Sequence, residues 1–238
     1  MTTPPEHLAR IYALLIENYG EPRWEPDYDP LGGLIGTILS QHTSDKNSGR
    51  AYHQLVSLYP TWEEVRDAPT EKIAEAIKSG GLANIKASRI QTTLLTLTAR
   101  QREQDGKPSL AEFLLEELNK RKPAECWQYL REIPGVGPKT AACVLMFNLG
   151  LAFVPVDTHV HRVTRRLGLI GPKVDANKAH AVISALTPAE WTHTLHVNLI
   201  RHGREVCHAQ NPDCGHCPLY PECAYVDSVQ SEETVLRK

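Results

Sequence analysis

Leu130 to Asp157 reads LREIPGVGPKTAACVLMFNLGLAFVPVD, and the fold turns on how this stretch is parsed. Two helical segments flank a short turn rich in Gly and Pro, Ile133-Pro134-Gly135-Val136-Gly137-Pro138-Lys139-Thr140. Upstream, Trp127, Leu130 and Ile133 recur every three residues, as one buried helix face does. Downstream, Ala141 to Phe147 is almost wholly apolar, which predicts a helix buried nearly all round. Pro138 suits the first turn of that helix, where a missing N–H costs nothing, and Gly150 suits its end. Gly135 and Gly137 permit positive φ and close approach of the backbone to a ligand. Their free N–H groups, with that of Lys139, predict an anion site suited to phosphate. A nucleotide P-loop is excluded, because Pro138 separates Gly137 from Lys139. Lys139 opens an apolar helix, where the helix dipole and desolvation both disfavour an ammonium. Partial neutrality is what an amine nucleophile requires. Asp157 follows in Val156-Asp157-Thr158-His159, where it is also placed to cap the next helix.

The rest of the chain is an ordinary globular sequence. It has 238 residues, enough for one large core or two modest domains, with 41% hydrophobic and 23% charged residues. The formal net charge of −2 gives no global field to attract nucleic acid, so any such binding needs a local basic surface. The start, Met1-Thr2-Thr3-Pro4-Pro5-Glu6, lacks the basic and apolar regions of a signal peptide. No tract is long and apolar enough to span a bilayer. A cytoplasmic protein with no membrane partner is expected, and six cysteines there argue for metal or burial over disulfides.

Helical signals dominate and no period-2 strand is evident, so the expected fold is all-α. Leu8, Ile11, Tyr12, Leu15 and Tyr19 form one stripe closed by Gly20. Glu21 to Pro30, broken by three prolines, reads as a linker. Leu31 to Leu39 is apolar, and its glycines predict close helix packing. Capping boxes are expected at Thr61-x-x-Glu64, Ser109-x-x-Glu112 and Thr187-x-x-Glu190. Gly80-Gly81 marks a turn before a helix carrying Ile90, Leu94 and Leu97. Gln101 to Pro108 reads as an exposed loop. Ser40-Gln41-His42-Thr43-Ser44-Asp45 separates two helices, and Ser44 or Asp45 suffices to cap the second.

Near the C-terminus, Cys207, Cys214, Cys217 and Cys223 are spaced C-x6-C-x2-C-x5-C. Four thiolates this close repel one another unless a metal neutralises them. Tetrahedral zinc and a [4Fe-4S] cube both accept four cysteines. Cys126 and Cys143, beside apolar neighbours, read as core residues. His159, Arg162, Arg165 and Arg166 lie at helical spacing, either as a solvated face or as phosphate contacts.

The wording Pro-Gly-Val-Gly-Pro-Lys-Thr-Ala, followed by Val-Asp-Thr-His, resembles the endonuclease III branch of the helix-hairpin-helix (HhH-GPD) DNA glycosylases. The resemblance implies a bifunctional glycosylase and abasic-site lyase of base excision repair that removes oxidised pyrimidines. It assigns the nucleophile to Lys139 and its catalytic partner to Asp157. It favours a [4Fe-4S] cluster on the four cysteines, beside Arg201 and Arg204. Gly135, Gly137, Lys139 and Arg162 are implied to meet DNA. Leu39-Ser40 with Asp45 is similar to the segment that fills the gap left by an extruded base. The family carries Gln at the place of His42, which leaves Gln41 and His42 as alternative wedges. The family fold implies a six-helix domain over residues 26–151, a cluster domain over 1–25 with 152–238, and a cleft between them. The expected partner is double-stranded DNA with a damaged base or abasic site, bound by a monomer. A glycosylase for other lesions or mismatches, and a non-catalytic DNA-binding module, are the alternatives.

Overall fold

The computed structural model describes residues 5–101 and 108–226, and every regular element among them is helical. The chain divides into two compact units, Pro26–Gly150 and Met1–Glu25 with Leu151–Lys238.

The first unit holds eight α-helices among the described residues. Here α2 is Pro30–Ser40, α3 Asp45–Leu58, α4 Trp62–Asp67, α5 Thr70–Ala76, α6 Ala83–Gln101, α7 Leu110–Asn119, α8 Pro123–Arg131 and α9 Pro138–Cys143. Starts are set by local chemistry. Asp29 caps α2 through Gly32 N–H, with Pro30 in the first turn, and Ser44 caps α3. Thr61 caps α4, and Ser109 with Glu112 closes the expected box on α7. The apolar stripes Leu31, Leu34, Ile35 and Ile38 of α2 and Ile90, Leu94 and Leu97 of α6 are buried with Phe113 and Leu114 of α7. Gln101 is the buried last residue of α6 and not the start of a loop, and residues 102–107 lie outside the described ones. The close packing predicted for the glycines of α2 is present. A Cβ at Gly33 would stand 1.9 Å from Asn148 Oδ1.

α9 continues into a π-helical turn, Val144–Asn148, and ends at Gly150, whose φ is +66°. Ala141 to Met146 are buried as expected, while Phe147 is half-buried. Leu130 of α8 and Ile133 of the turn after it are buried, but Trp127 is half-buried under the Arg131 guanidinium.

The second unit holds α1 (Glu6–Tyr19), α10 (Thr158–Arg166), α11 (Ala176–Leu186) and α12 (Thr192–Glu205). Leu8, Ile11 and Leu15 of α1 share one core with Val160 and Val163 of α10, Ile183 of α11 and Leu195 and Leu199 of α12. The capping box expected at Thr187 does not form. Its hydroxyl donates to Ile183 O at 2.7 Å, one turn back, so it closes α11 where it was expected to open the next helix. No helix among the described residues is long and apolar enough to cross a membrane.

Candidate functional site

The turn between α8 and α9 is closed by Val136 N–H to Ile133 O at 3.0 Å. Gly135 takes φ +83°, which an L side chain rarely adopts. Gly137 does not: it caps α9 at φ −84°, so the positive φ expected there is corrected to ordinary extended backbone. A Cβ on either glycine would meet nothing within 4 Å, so internal packing does not demand their small size. Among the described residues, the N–H groups of Gly135, Gly137 and Lys139 have no acceptor. These amides and the exposed Lys139 make an outward-facing donor surface. The burial expected of Lys139 is not seen. The buried helix begins one residue later, at Thr140.

Asp157 caps α10, its Oδ1 accepting from Val160 N–H at 2.8 Å. That bond fixes the carboxylate's orientation and leaves Oδ2 without a hydrogen bond among the described residues.

The turn after α2 separates the two candidate wedges. Gln41 is half-buried, and its Oε1 accepts from Arg89 Nη1 at 2.8 Å. His42 is exposed and held at φ +54°. Across from them, Gly81 and Leu82 form a second turn at φ +68° and +49°, and Leu82 is 52% exposed. An apolar side chain kept exposed on strained backbone was not read from the sequence. The Gly-Gly-Leu run is the only local signal for it.

Beside the 41–44 turn lies a cavity of about 340 Å³, lined by Asp27, Asp29, Asp45, Tyr52 and the glycine-rich face of α2. Burial, with Asp29 and Asp27 nearby, pushes the Tyr52 phenol up to about 12, so it stays a hydrogen-bond donor.

In the other unit all four cysteines of the C-terminal loop line one small cavity, with Leu167, His202 and Leu219. Burial pushes the Cys217 thiol up to about 11, reinforced by the other three sulfurs. Arg166 donates to Cys207 Sγ at 3.2 Å, and His202 lies 3.7 Å from Cys217 Sγ. Among the described residues no group of three or more Cys, His, Asp or Glu is arranged to hold a metal ion. The donor chemistry nevertheless fits a thiolate-bound group: four cysteines line one cavity, and two nitrogen groups stand beside their sulfurs. His208 and His216 are exposed, the latter paired with Asp213 at 3.0 Å. Arg162 donates to Cys207 O at 3.0 Å and Gly203 O at 2.8 Å, so its guanidinium braces this loop. Arg201 pairs with Glu205 at 2.9 Å and lies over the Tyr19 ring. Cys126 and Cys143 are buried core residues, as read from the sequence.

Residues 35–188 match the model of the HhH-GPD superfamily base excision DNA repair proteins. Endonuclease III of Thermotoga maritima is 31% identical over 204 residues, covering 86% of this chain and 87% of that one. The chain belongs to the endonuclease III branch of the HhH-GPD superfamily. Endonuclease III of Escherichia coli is likewise 31% identical, covering 92% of this chain and 95% of its own. An Arabidopsis thaliana protein carrying a DNA glycosylase name is 37% identical over 174 residues, and this chain spans 56% of its length. A solved structure of a trapped endonuclease III–DNA covalent intermediate superposes with a TM-score of 0.72 at 26% identity, covering 97% of this chain and 100% of that one. A thermostable thymine-DNA glycosylase at 20% identity shares the fold, with a TM-score of 0.73 over 94% of this chain and 98% of its own. As an endonuclease III family member the chain is a DNA glycosylase of base excision repair.

Proposed function

We propose that this glycosylase is bifunctional, removing oxidised pyrimidines from double-stranded DNA and cutting the strand at the resulting site. The observation that carries the reading is the exposed Lys139 beside three unpaired backbone amides. The amides of Gly135, Gly137 and Lys139 grip backbone phosphate, and the extruded base exposes its C1′ to attack. The Lys139 amine bonds to C1′ as the glycosidic bond breaks and the base leaves with the electron pair. Asp157 accepts a proton from the resulting secondary ammonium and returns it to O4′, so that the C1′–O4′ bond breaks as the nitrogen lone pair forms C1′=N, and the opened sugar carries a Schiff base to Lys139. Loss of a proton from C2′ then expels the 3′ phosphate by β-elimination. That the trapped-intermediate endonuclease III is a covalent DNA complex supports this chemistry.

His42, exposed and on strained backbone, fills the gap left by the base, while Gln41 is held back by Arg89. The cavity of Asp27, Asp29, Asp45 and Tyr52 offers acceptors and a phenol to the extruded ring. Oxidation of a pyrimidine's 5,6 double bond adds hydroxyl donors, which carboxylates accept. Cys207, Cys214, Cys217 and Cys223 would hold a [4Fe-4S] cluster, supplying four iron–thiolate bonds that tie the loop shut.

Borohydride trapping tests the reading. Incubation with abasic DNA and reductant gives a covalent adduct that Lys139→Ala abolishes, and excision on a panel of damaged oligonucleotides favours thymine glycol over mismatches. An adduct undiminished in Lys139→Ala removes the nucleophile assignment.

A further inference from the structure

Lys86 lies on α6 and is 1% exposed, yet no carboxylate pairs with it among the described residues. Its ammonium donates instead to two backbone carbonyls, Leu39 O and Gly80 O, each at 2.7 Å. Leu39 O is among the last carbonyls of α2, which have no partner within the helix, and a cation is favoured at such an end. Gly80 O belongs to the turn before α6. One buried charge thus pins two turns that are 47 and 6 residues from it in sequence.

Both pinned turns carry strained residues facing out. Four non-glycine residues with positive φ occur among the described residues, and two of them flank these carbonyls: His42 after Leu39, and Leu82 after Gly80. Such backbone costs of order 1–3 kcal/mol per residue and persists only where the surroundings over-determine it. Packing assists, because a Cβ at Gly80 would stand 3.2 Å from Ala51 Cβ, so this turn lies flush on α3. Arg89, one helical turn beyond Lys86, adds a surface tie through its bond to Gln41.

We infer that Lys86 is a positioning residue that makes the Gln41–His42 turn and the Gly81–Leu82 turn one rigid two-pronged element for entering the duplex. The inference rests on the reading above that the 41–42 turn fills the gap left by an extruded base. Lys86 itself never reaches DNA; it acts through the two carbonyls.

The test uses the full chain and the variant Lys86→Met, which keeps the apolar stem and removes the donors. A duplex carrying a tetrahydrofuran abasic analogue opposite 2-aminopurine reports insertion by fluorescence. Borohydride trapping on a single-stranded abasic oligonucleotide reports the chemistry where no gap exists to fill. Lys86→Met is expected to lose the 2-aminopurine response and at least about tenfold of its preference for the analogue over intact duplex. Its single-strand trapping stays within about twofold of wild type. Ile90→Val, a buried change on the same helix, serves as the control for lowered stability and keeps both signals. If Lys86→Met does not fold, Arg89→Ala, which alters only the exposed tie, carries the test with an expected threefold loss of preference and unchanged single-strand trapping. Retention of the fluorescence response and preference in the folded Lys86 variant, or in Arg89→Ala where that carries the test, overturns the inference alone. Equal losses on duplex and single strand also overturn it, by making the role purely structural. A wild-type protein that neither traps nor perturbs 2-aminopurine overturns the functional reading and this inference with it.

Discussion

The hairpin of α8 and α9 and the cysteine loop after α12 are held by opposite means. The hairpin rests on buried side chains: Leu130, Ile133 and Val136 on one side of its turn, Thr140 to Met146 on the other. Its exposed atoms are free to serve a ligand because the core beneath needs nothing from them. The cysteine loop has short 3₁₀ turns at Cys214–His216 and Tyr220–Glu222, and Leu219 is its main buried anchor. Polar bonds add to that anchor: Arg162 and Arg166 bond its carbonyls and a sulfur, and Arg10 bonds Glu222 at 2.7 Å. Apolar burial fixes a surface that acts on something else; a polar framework waits for a group that completes it.

That contrast can be broken at several points. The largest effect is expected at Lys139→Ala, which lowers lyase activity on abasic DNA by at least about 10³-fold, measured by strand-cleavage rates, with the melting temperature unchanged. A core change under the hairpin, Leu145→Ala, costs about 3 kcal/mol in chemical denaturation and leaves visible absorbance intact. Cys217→Ser does the reverse: it abolishes the brown colour of an iron–sulfur protein and costs about 2 kcal/mol, roughly 4–8 °C in melting temperature. A colourless wild-type protein that binds zinc stoichiometrically would replace the cube with zinc. Thr61→Ala, which removes the α4 cap, costs about 1 kcal/mol and affects neither region's signal. The smallest effect is on pH dependence. Burial holds the Lys86 ammonium below its usual value of 10.5, so in the window just below 10.5 the unfolded chain binds more protons. Wild-type stability therefore rises with pH there relative to Lys86→Met, as paired denaturation curves at pH 8 and 10 would record.

Much of the hairpin was legible because its determinants are neighbours in sequence. The apolar run, the Pro at the start of α9 and the Gly at its end each act within one turn. The caps at Thr61, Ser109 and Asp157 were legible for the same reason. Thr187 misled because a threonine hydroxyl can either accept from an N–H ahead of it or donate to a carbonyl behind it, and here it donates to Ile183 O. Gly137 misled because its sequence neighbours suit positive φ, while the geometry of a helix cap asks only for extended backbone. Lys86 went unread because its partners are carbonyls, which every residue has and no sequence pattern marks. One signal was available: Lys86, Ile90, Leu94 and Leu97 share one helical face, so the lysine was already written into a buried stripe.

The π-helical turn at Val144–Asn148 carries a further consequence. A turn holding one extra peptide advances all that follows by about 100° around the helix axis. Asn148 thereby faces Asp27, to whose Oδ1 it donates at 2.9 Å, and seals the seam against Gly33. Deleting one residue between 144 and 147 would restore a regular spiral and swing that amide away. The chain would keep its apolar composition there and lose the stitch that fastens the start of α2.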